Sequence, residues 1–203
     1  MKKVLLIVLG VVGLLAVIFG ITTAVEYNVL VGQHEEIGYS RSQIVNSLQT
    51  RDSTLAGLTT AVDEAVELET SIYEMITAAR AAYAEAKENN DLEAIIEADV
   101  LSSLAISELY AIIEDNPDLQ SIETIETLMA NIESLENALK VSRTDYNTSV
   151  REYNVSVKKF PRNIFVNMFG FEGKMPYWSP DPDTGDGDIT VDGVDYNSAV
   201  YVA

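Results

Sequence analysis

TDYNTSV-REYNVSV-KKFPRNI, residues 144–164, reads as three consecutive heptads. Tyr146, Tyr153 and Phe160 recur at one offset, Asn147, Asn154 and Pro161 at the next, and Ser149 and Ser156 share a third. Seven residues make almost two helical turns, so these groups form stripes down one side of a helix. Working back from them, Leu128, Ile132, Leu135, Leu139, Ser142, Tyr146, Ser149, Tyr153, Ser156 and Phe160 alternate steps of four and three. That is a coiled-coil seam, apolar up to Leu139 and polar beyond it. It predicts one helix to about Phe160, stopped or kinked by Pro161. The seam places Tyr bodies, Asn and Ser on a packing surface with no pair suited to acid–base chemistry. Polar groups at such positions set register and oligomer state. Two readings follow. Tyr146, Asn147, Ser149, Tyr153, Asn154, Ser156 and Phe160 form an interface with another chain, or they decorate an internal core.

Upstream the same periodicity continues. Leu30, His34, Ile37, Arg41, Ile44, Leu48, Arg51, Leu55, Leu58, Val62, Ala65, Glu69, Ile72, Ile76, Ala79 and Tyr83 keep the alternation, and no Pro occurs between residues 26 and 116. The spacing predicts one helix from about Glu26 to Lys87. A break between Thr50 and Gly57, giving a four-helix bundle, is the alternative. Asn89-Asn90-Asp91 suits a helix end followed by a new cap. A second stripe then runs through Ile95, Ile96, Val100, Leu104, Ile106 and Ile113. Asn116-Pro117-Asp118 supplies a cap, Pro at the first helical position and an acid in the first turn. IFVNMFGF (164–171) is a short apolar segment expected to cap the bundle.

Residues Val4 to Val25 carry no charge and are apolar or small throughout. About 20 such residues cross the hydrocarbon core as a helix. A cleaved signal peptide has a core of about 7–15 residues and a small-x-small site. This run is longer and Thr22-x-Ala24 is a poor site, so an uncleaved anchor is the reading adopted. Lys2 and Lys3 before the run and Glu26 after it place the N-terminus in the cytoplasm and the bulk of the chain in the periplasm or outside the cell. The division expected is an anchor at 1–25, a helical bundle at 26–178 and an acidic tail at 179–203. The fold class is all-α: a transmembrane helix followed by an elongated antiparallel bundle of long helices.

Composition narrows the chemistry. There is no Cys, so disulfides, thiolate metal sites and cysteine nucleophiles are excluded. A single His, His34, excludes a multi-His metal site within one chain. The formal charge of −19 opposes general nucleic-acid binding. That charge is uneven: residues 24–139 hold 23 acidic and 4 basic side chains, while residues 140–180 hold 7 basic and 3 acidic. A basic segment on an acidic body suits contact with a neighbouring copy or an anionic lipid face. His34 is expected to be packed or interfacial. Arg41 and Arg51 lie on the apolar stripe, where each needs a carboxylate from another helix or chain, and Glu69 is a candidate.

The stretch from Asn116 to Trp178 resembles the LemA family. NPDLQ (116–120), ESLENALKVSRTDYNTSVREYNVSVKKFP (133–161) and GFEGKMPYW (170–178) are similar to that family's successive motifs. Glu26-Tyr27-Asn28-Val29-Leu30-Val31, Leu48-Gln49-Thr50-Arg51, Glu69 and Ala78-Ala79-Arg80 match further points upstream. TLAGLT (54–59) departs from the family's LIPNLV-like segment in having no Pro. The tail beyond Ser179 lies outside the resemblance. The resemblance implies a membrane-anchored helical bundle of a family with no established enzymatic activity, and leaves the function open.

DPDTGDGDITVDGVDY (181–196) sets Asp181, Asp183, Asp186, Asp188 and Asp192 around Gly185 and Gly187. Calcium takes six to eight oxygens on such loops, although the bidentate Glu of an EF-hand is missing. A solvated acidic tail is the plainer reading. No organic cofactor and no small-molecule substrate are expected; calcium is the one ion considered. Three functions compete: a non-enzymatic membrane-anchored scaffold that forms a homo-oligomer or binds envelope proteins, a calcium-binding surface protein acting through the tail, and an enzyme. The absence of a nucleophile or cofactor loop disfavours the third.

Overall fold

The structure is a computed structural model, and it describes residues 2–68 and 70–178 together with Thr190–Val191 and Val194–Asp195. Six helices follow in chain order among these residues: α1 (Lys2–Ala65), α2 (Thr70–Glu88), α3 (Leu92–Asp115), α4 (Pro117–Gln120), α5 (Glu123–Ser156) and α6 (Arg162–Phe169). Two short strands, β1 (Thr190–Val191) and β2 (Val194–Asp195), pair antiparallel. The protein is all-α, as the periodicities predicted.

The apolar run and the first long stripe are one helix. Leu30, Ile37, Ile44, Leu48, Leu55, Leu58 and Val62 on α1 are buried, as the stripe requires, whereas His34 is exposed. The predicted continuation to Lys87 fails after Ala65, at residues 66–68. Neither Pro nor Gly marks the place. Asp63 and Glu64 sit in the last turn of α1 with no basic residue, where carboxylates oppose the helix dipole. Asp63 Oδ1 then accepts a hydrogen bond from the Leu68 amide, which draws the chain out of the helix. Residues 50–57, the alternative break, are helical throughout. Gly57 tolerates the helix interior, and Leu128 Cδ2 lies 3.7 Å from where its Cβ would be.

At the α2–α3 turn Asn90 takes the left-handed conformation (φ 53°). Asp91 caps α3, its Oδ1 accepting from the amides of Glu93 and Ala94. Asn116-Pro117 opens a helix as predicted, but α4 is a single turn before α5 begins at Glu123. α5 ends at Ser156, four residues short of Phe160.

The chain divides into two compact units. One centres on Arg41–Asp145. Its core joins Leu55, Leu58 and Val62 of α1, Ile76 and Ala79 of α2, Ala105, Leu109 and Ile113 of α3, Leu119 of α4, and Ile125 and Ile132 of α5. Within it α1 and α2 run antiparallel, tied by Arg41 to the Asn90 carbonyl, Lys87 to Gln49, Tyr83 to the Val45 carbonyl and Arg80 to Asp52. Arg41 thus meets a carbonyl rather than the carboxylate expected for it. The other unit combines Met1–Ser40 with Tyr146–Tyr177.

Candidate functional site

Two sets of polar side chains lie inside the fold, one in each unit. The first is ionic. Arg51 on α1 is 1% exposed. Its Nη2 donates to Asp99 Oδ1 at 2.8 Å and to the Asp99 carbonyl at 3.1 Å; its Nη1 donates to Glu136 Oε1 and, at 3.3 Å, to Ser103 Oγ. Arg143 on α5 donates from Nη2 to both Asp99 oxygens, at 2.7 and 2.6 Å. Two guanidinium groups and two carboxylates therefore join α1, α3 and α5. Charges removed from water need this much compensation. The Nε atoms of Arg51 and Arg143 are buried without an acceptor, so the cluster is well paired but not saturated. Its one hydroxyl, Ser103 Oγ, donates to the Asp99 carbonyl at 3.0 Å, and both Asp99 oxygens are engaged. What it can do is hold three helices in one register.

The expectation that Arg51 needs a carboxylate holds, but its partners are Asp99 and Glu136. Glu69 lies outside the described residues. A sequence signal for Asp99 existed: Ile95, Asp99, Ser102, Ile106, Leu109 and Ile113 alternate four and three, and all are buried.

The second set is neutral. Tyr146 Oη donates to the Pro176 carbonyl at 3.0 Å and Tyr153 Oη to the Glu172 carbonyl at 2.6 Å. Asn154 forms a two-way pair with Met175, Nδ2 donating to its carbonyl at 2.9 Å and Oδ1 accepting from its amide at 2.7 Å. Ser156 Oγ donates to Gln33 Oε1 at 2.6 Å, and Tyr153, Asn154 and Ser156 are all buried. The segment after α6 is irregular, and its buried backbone groups need partners that no helix supplies. The repeated Tyr and Asn provide them. Burial, with Glu172 next in effect, pushes the Tyr153 hydroxyl above its ordinary pKa.

The interface residues named from the sequence are thus placed as follows. Tyr146, Tyr153 and Asn154 face the C-terminal segment of their own chain, and Ser156 faces Gln33 on α1. Asn147 and Ser149 are half-buried and partnered. Phe160, beyond the end of α5, is 81% exposed. The buried apolar line runs through Leu139, Tyr146, Val150, Tyr153 and Val157; Val150 takes the core place beside half-buried Ser149, while Ser156 and Val157 are both buried.

Elsewhere an open cleft of about 450 Å³ is lined by Tyr110, Glu114, Gln120, Glu126, Met129 and Glu133. Tyr110 spends its hydroxyl on the Met129 carbonyl, and burial, then Glu133 and Glu136, push its pKa up to about 12. No cationic side chain lines the cleft among the described residues. No group of three or more metal-binding side chains occurs among the described residues. Asp181, Asp183, Asp186, Asp188 and Asp192 lie outside them.

An all-α fold, a helix among the described residues whose apolar stretch is unburied and long enough to cross a membrane, and polar interiors given over to packing define the class: a membrane-associated helical bundle. The chain belongs to the LemA family, whose match spans residues 40–192. That span starts beyond the apolar run and reaches past Trp178, where the motif resemblance stopped. Magnetosome proteins MamQ 1 and MamQ 2 of Paramagnetospirillum magneticum are each 25% identical to it over 86% of this chain and 72% of their own length. Magnetosome protein MamQ of Magnetospirillum gryphiswaldense is 26% identical over 88% of this chain and 73% of its own.

Proposed function

We propose that this chain is a membrane-anchored scaffold of the cell envelope, a non-catalytic protein that self-associates or holds protein partners. Residues Val4 to Val25 span the membrane once, with Lys2 and Lys3 on the cytoplasmic side and the bundle in the periplasm or outside the cell. One observation carries the reading. The side chains best equipped for chemistry, Arg51, Asp99, Arg143, Tyr146 and Tyr153, are engaged in internal bonds that fix helices, while α1 runs without interruption from the apolar segment into the bundle. Such an arrangement suits transmission of position rather than turnover. Relatives named as magnetosome proteins support a place in an assembled structure.

The test is the mass of the native complex extracted in detergent, combined with crosslinking in the membrane. The scaffold reading expects a particle larger than one chain. A monomer at every concentration, with no crosslinked partner, contradicts it.

A further inference from the structure

We propose that α6 is a second membrane-contacting element, an interfacial helix whose outer residues Ile164 and Met168, with Phe160 just before the helix, enter the bilayer that the N-terminal run crosses. The inference rests on the reading of Val4 to Val25 as a membrane span.

Its first support is depth. The Phe165 ring on α6 packs against that of Phe19 on α1, with centroids 5.9 Å apart. Phe19 lies six residues before the end of the apolar run, roughly 9 Å inside it at 1.5 Å per residue. α6 therefore lies against a part of α1 that is still uncharged and apolar. Its inner face is closed, with Phe165 and Val166 buried.

The second support is what the outer face offers. Ile164 and Met168 lie one turn apart on α6 and are 55% and 51% exposed, and Phe160, two residues before the helix, is 81% exposed. Large apolar side chains clustered at this level would be costly in water and favourable in acyl chains. Amphipathic helices with one apolar face lie in the interface in this way.

The third support is charge at the border. Glu26 is the first acidic residue after the run, and Arg162 Nε meets its Oε2 at 2.7 Å. That pair removes the nearest charge that would repel anionic headgroups. Lys158 and Lys159, both exposed, precede α6 and complement such headgroups. Gly170, in the left-handed conformation (φ 74°), then ends the helix and turns the chain towards Tyr27 and His34, whose rings approach Phe171. Tyr27 is 46% exposed at the edge of the run, where aromatic side chains favour the headgroup level. The segment thus enters beside the run and leaves towards the charged part of α1.

The chain has no Cys, so single labels are clean. The full chain carrying Val12→Cys, Tyr39→Cys, Ile164→Cys or Met168→Cys, each with a nitroxide, is reconstituted into vesicles of phosphatidylcholine and phosphatidylglycerol. Collision with oxygen is then compared with collision with a water-soluble nickel chelate. The expected oxygen-to-nickel ratio at 164 and 168 is several-fold above that at 39 and on the same side as that at 12. A lipid-like ratio at 12 with ratios at 164 and 168 equal to that at 39 overturns the proposal alone. So do labels at 164 and 168 that are immobilised and shielded from both reagents, since a second protein copy then covers the face. An aqueous ratio at 12 overturns the membrane span itself and the inference with it.

Discussion

Around Arg51, four ionisable side chains from three helices meet; around Tyr153, the bonded groups are hydroxyls, amides and backbone carbonyls. Both places bury polar atoms, and both draw on α5. The ionic cluster joins helix to helix, so each partner brings its own rigid backbone and the charges need only be matched. The neutral ladder joins a helix to irregular chain, whose amides and carbonyls are themselves the groups needing partners. A carboxylate there could accept from an amide but would leave the carbonyls of Glu172, Met175 and Pro176 unpaired. Tyr donates to a carbonyl, and Asn donates and accepts at once, as it does with Met175. The difference teaches that the composition of a buried polar set reports what it holds: charges for helix register, amides and phenols for bare backbone.

The comparison breaks most readily at Asp99. Asp99→Ala leaves the buried Arg51 and the half-buried Arg143 guanidinium groups each short of a carboxylate and should cost about 3–5 kcal/mol in denaturant unfolding. Replacing the pair together, Arg51→Met with Asp99→Leu, should recover part of that loss, because an absent buried pair is cheaper than a broken one. A double variant no better than Asp99→Ala would show that the cluster contributes more than charge balance. In the ladder, Asn154→Ala strands an amide and a carbonyl of Met175 and should cost about 1–3 kcal/mol. It should also speed proteolysis near residues 170–176, which Asp99→Ala should do only through global unfolding. Gly57→Ala sharpens the contrast from the helical side. It relieves a flexible residue in α1 against an ordinary 3.7 Å contact and should add about 1 kcal/mol.

The last expected effect is alkaline. Burial, then Asp52, pushes Tyr83 up to about 12 from an ordinary 10. The protonated phenol is favoured by the fold, so the contribution is complete below about pH 10 and is lost as pH rises towards 12. Tyr83→Phe should flatten the fall in melting temperature over that interval and leave neutral-pH unfolding little changed apart from one lost hydrogen bond. A slope that persists unchanged would assign the transition to other groups.

Much of the helical pattern was legible because burial repeats with the helix turn. Leu30, Ile44, Leu55, Ile76 and Tyr83 lie where the alternation put them, and Asp91 and Pro117 act as the local rules require. The break after Ala65 was not legible from punctuation, since it comes from Asp63 capturing a later amide and from carboxylates gathered at a helix end. Asp99 was hidden for a different reason: a carboxylate in an apolar stripe reads as an interruption until its arginines are known to arrive from helices far along the chain. The Tyr-Asn heptads announced a packing surface, but their partner is backbone at Glu172–Pro176, and backbone carries no side-chain signature. Phe160 kept the heptad count after the helix carrying it had ended.

The central claim is that the tyrosine ladder fastens the chain to itself. The direct measurement is thermal unfolding by circular dichroism together with particle mass by light scattering, on the full chain in detergent, for Tyr146→Ala with Tyr153→Ala. The account predicts lost helicity or a clearly lower melting temperature at temperatures where the parent chain is folded. It also predicts that protein still folded keeps the parent particle mass. A smaller particle with helicity and melting temperature retained would contradict it and place the ladder between chains.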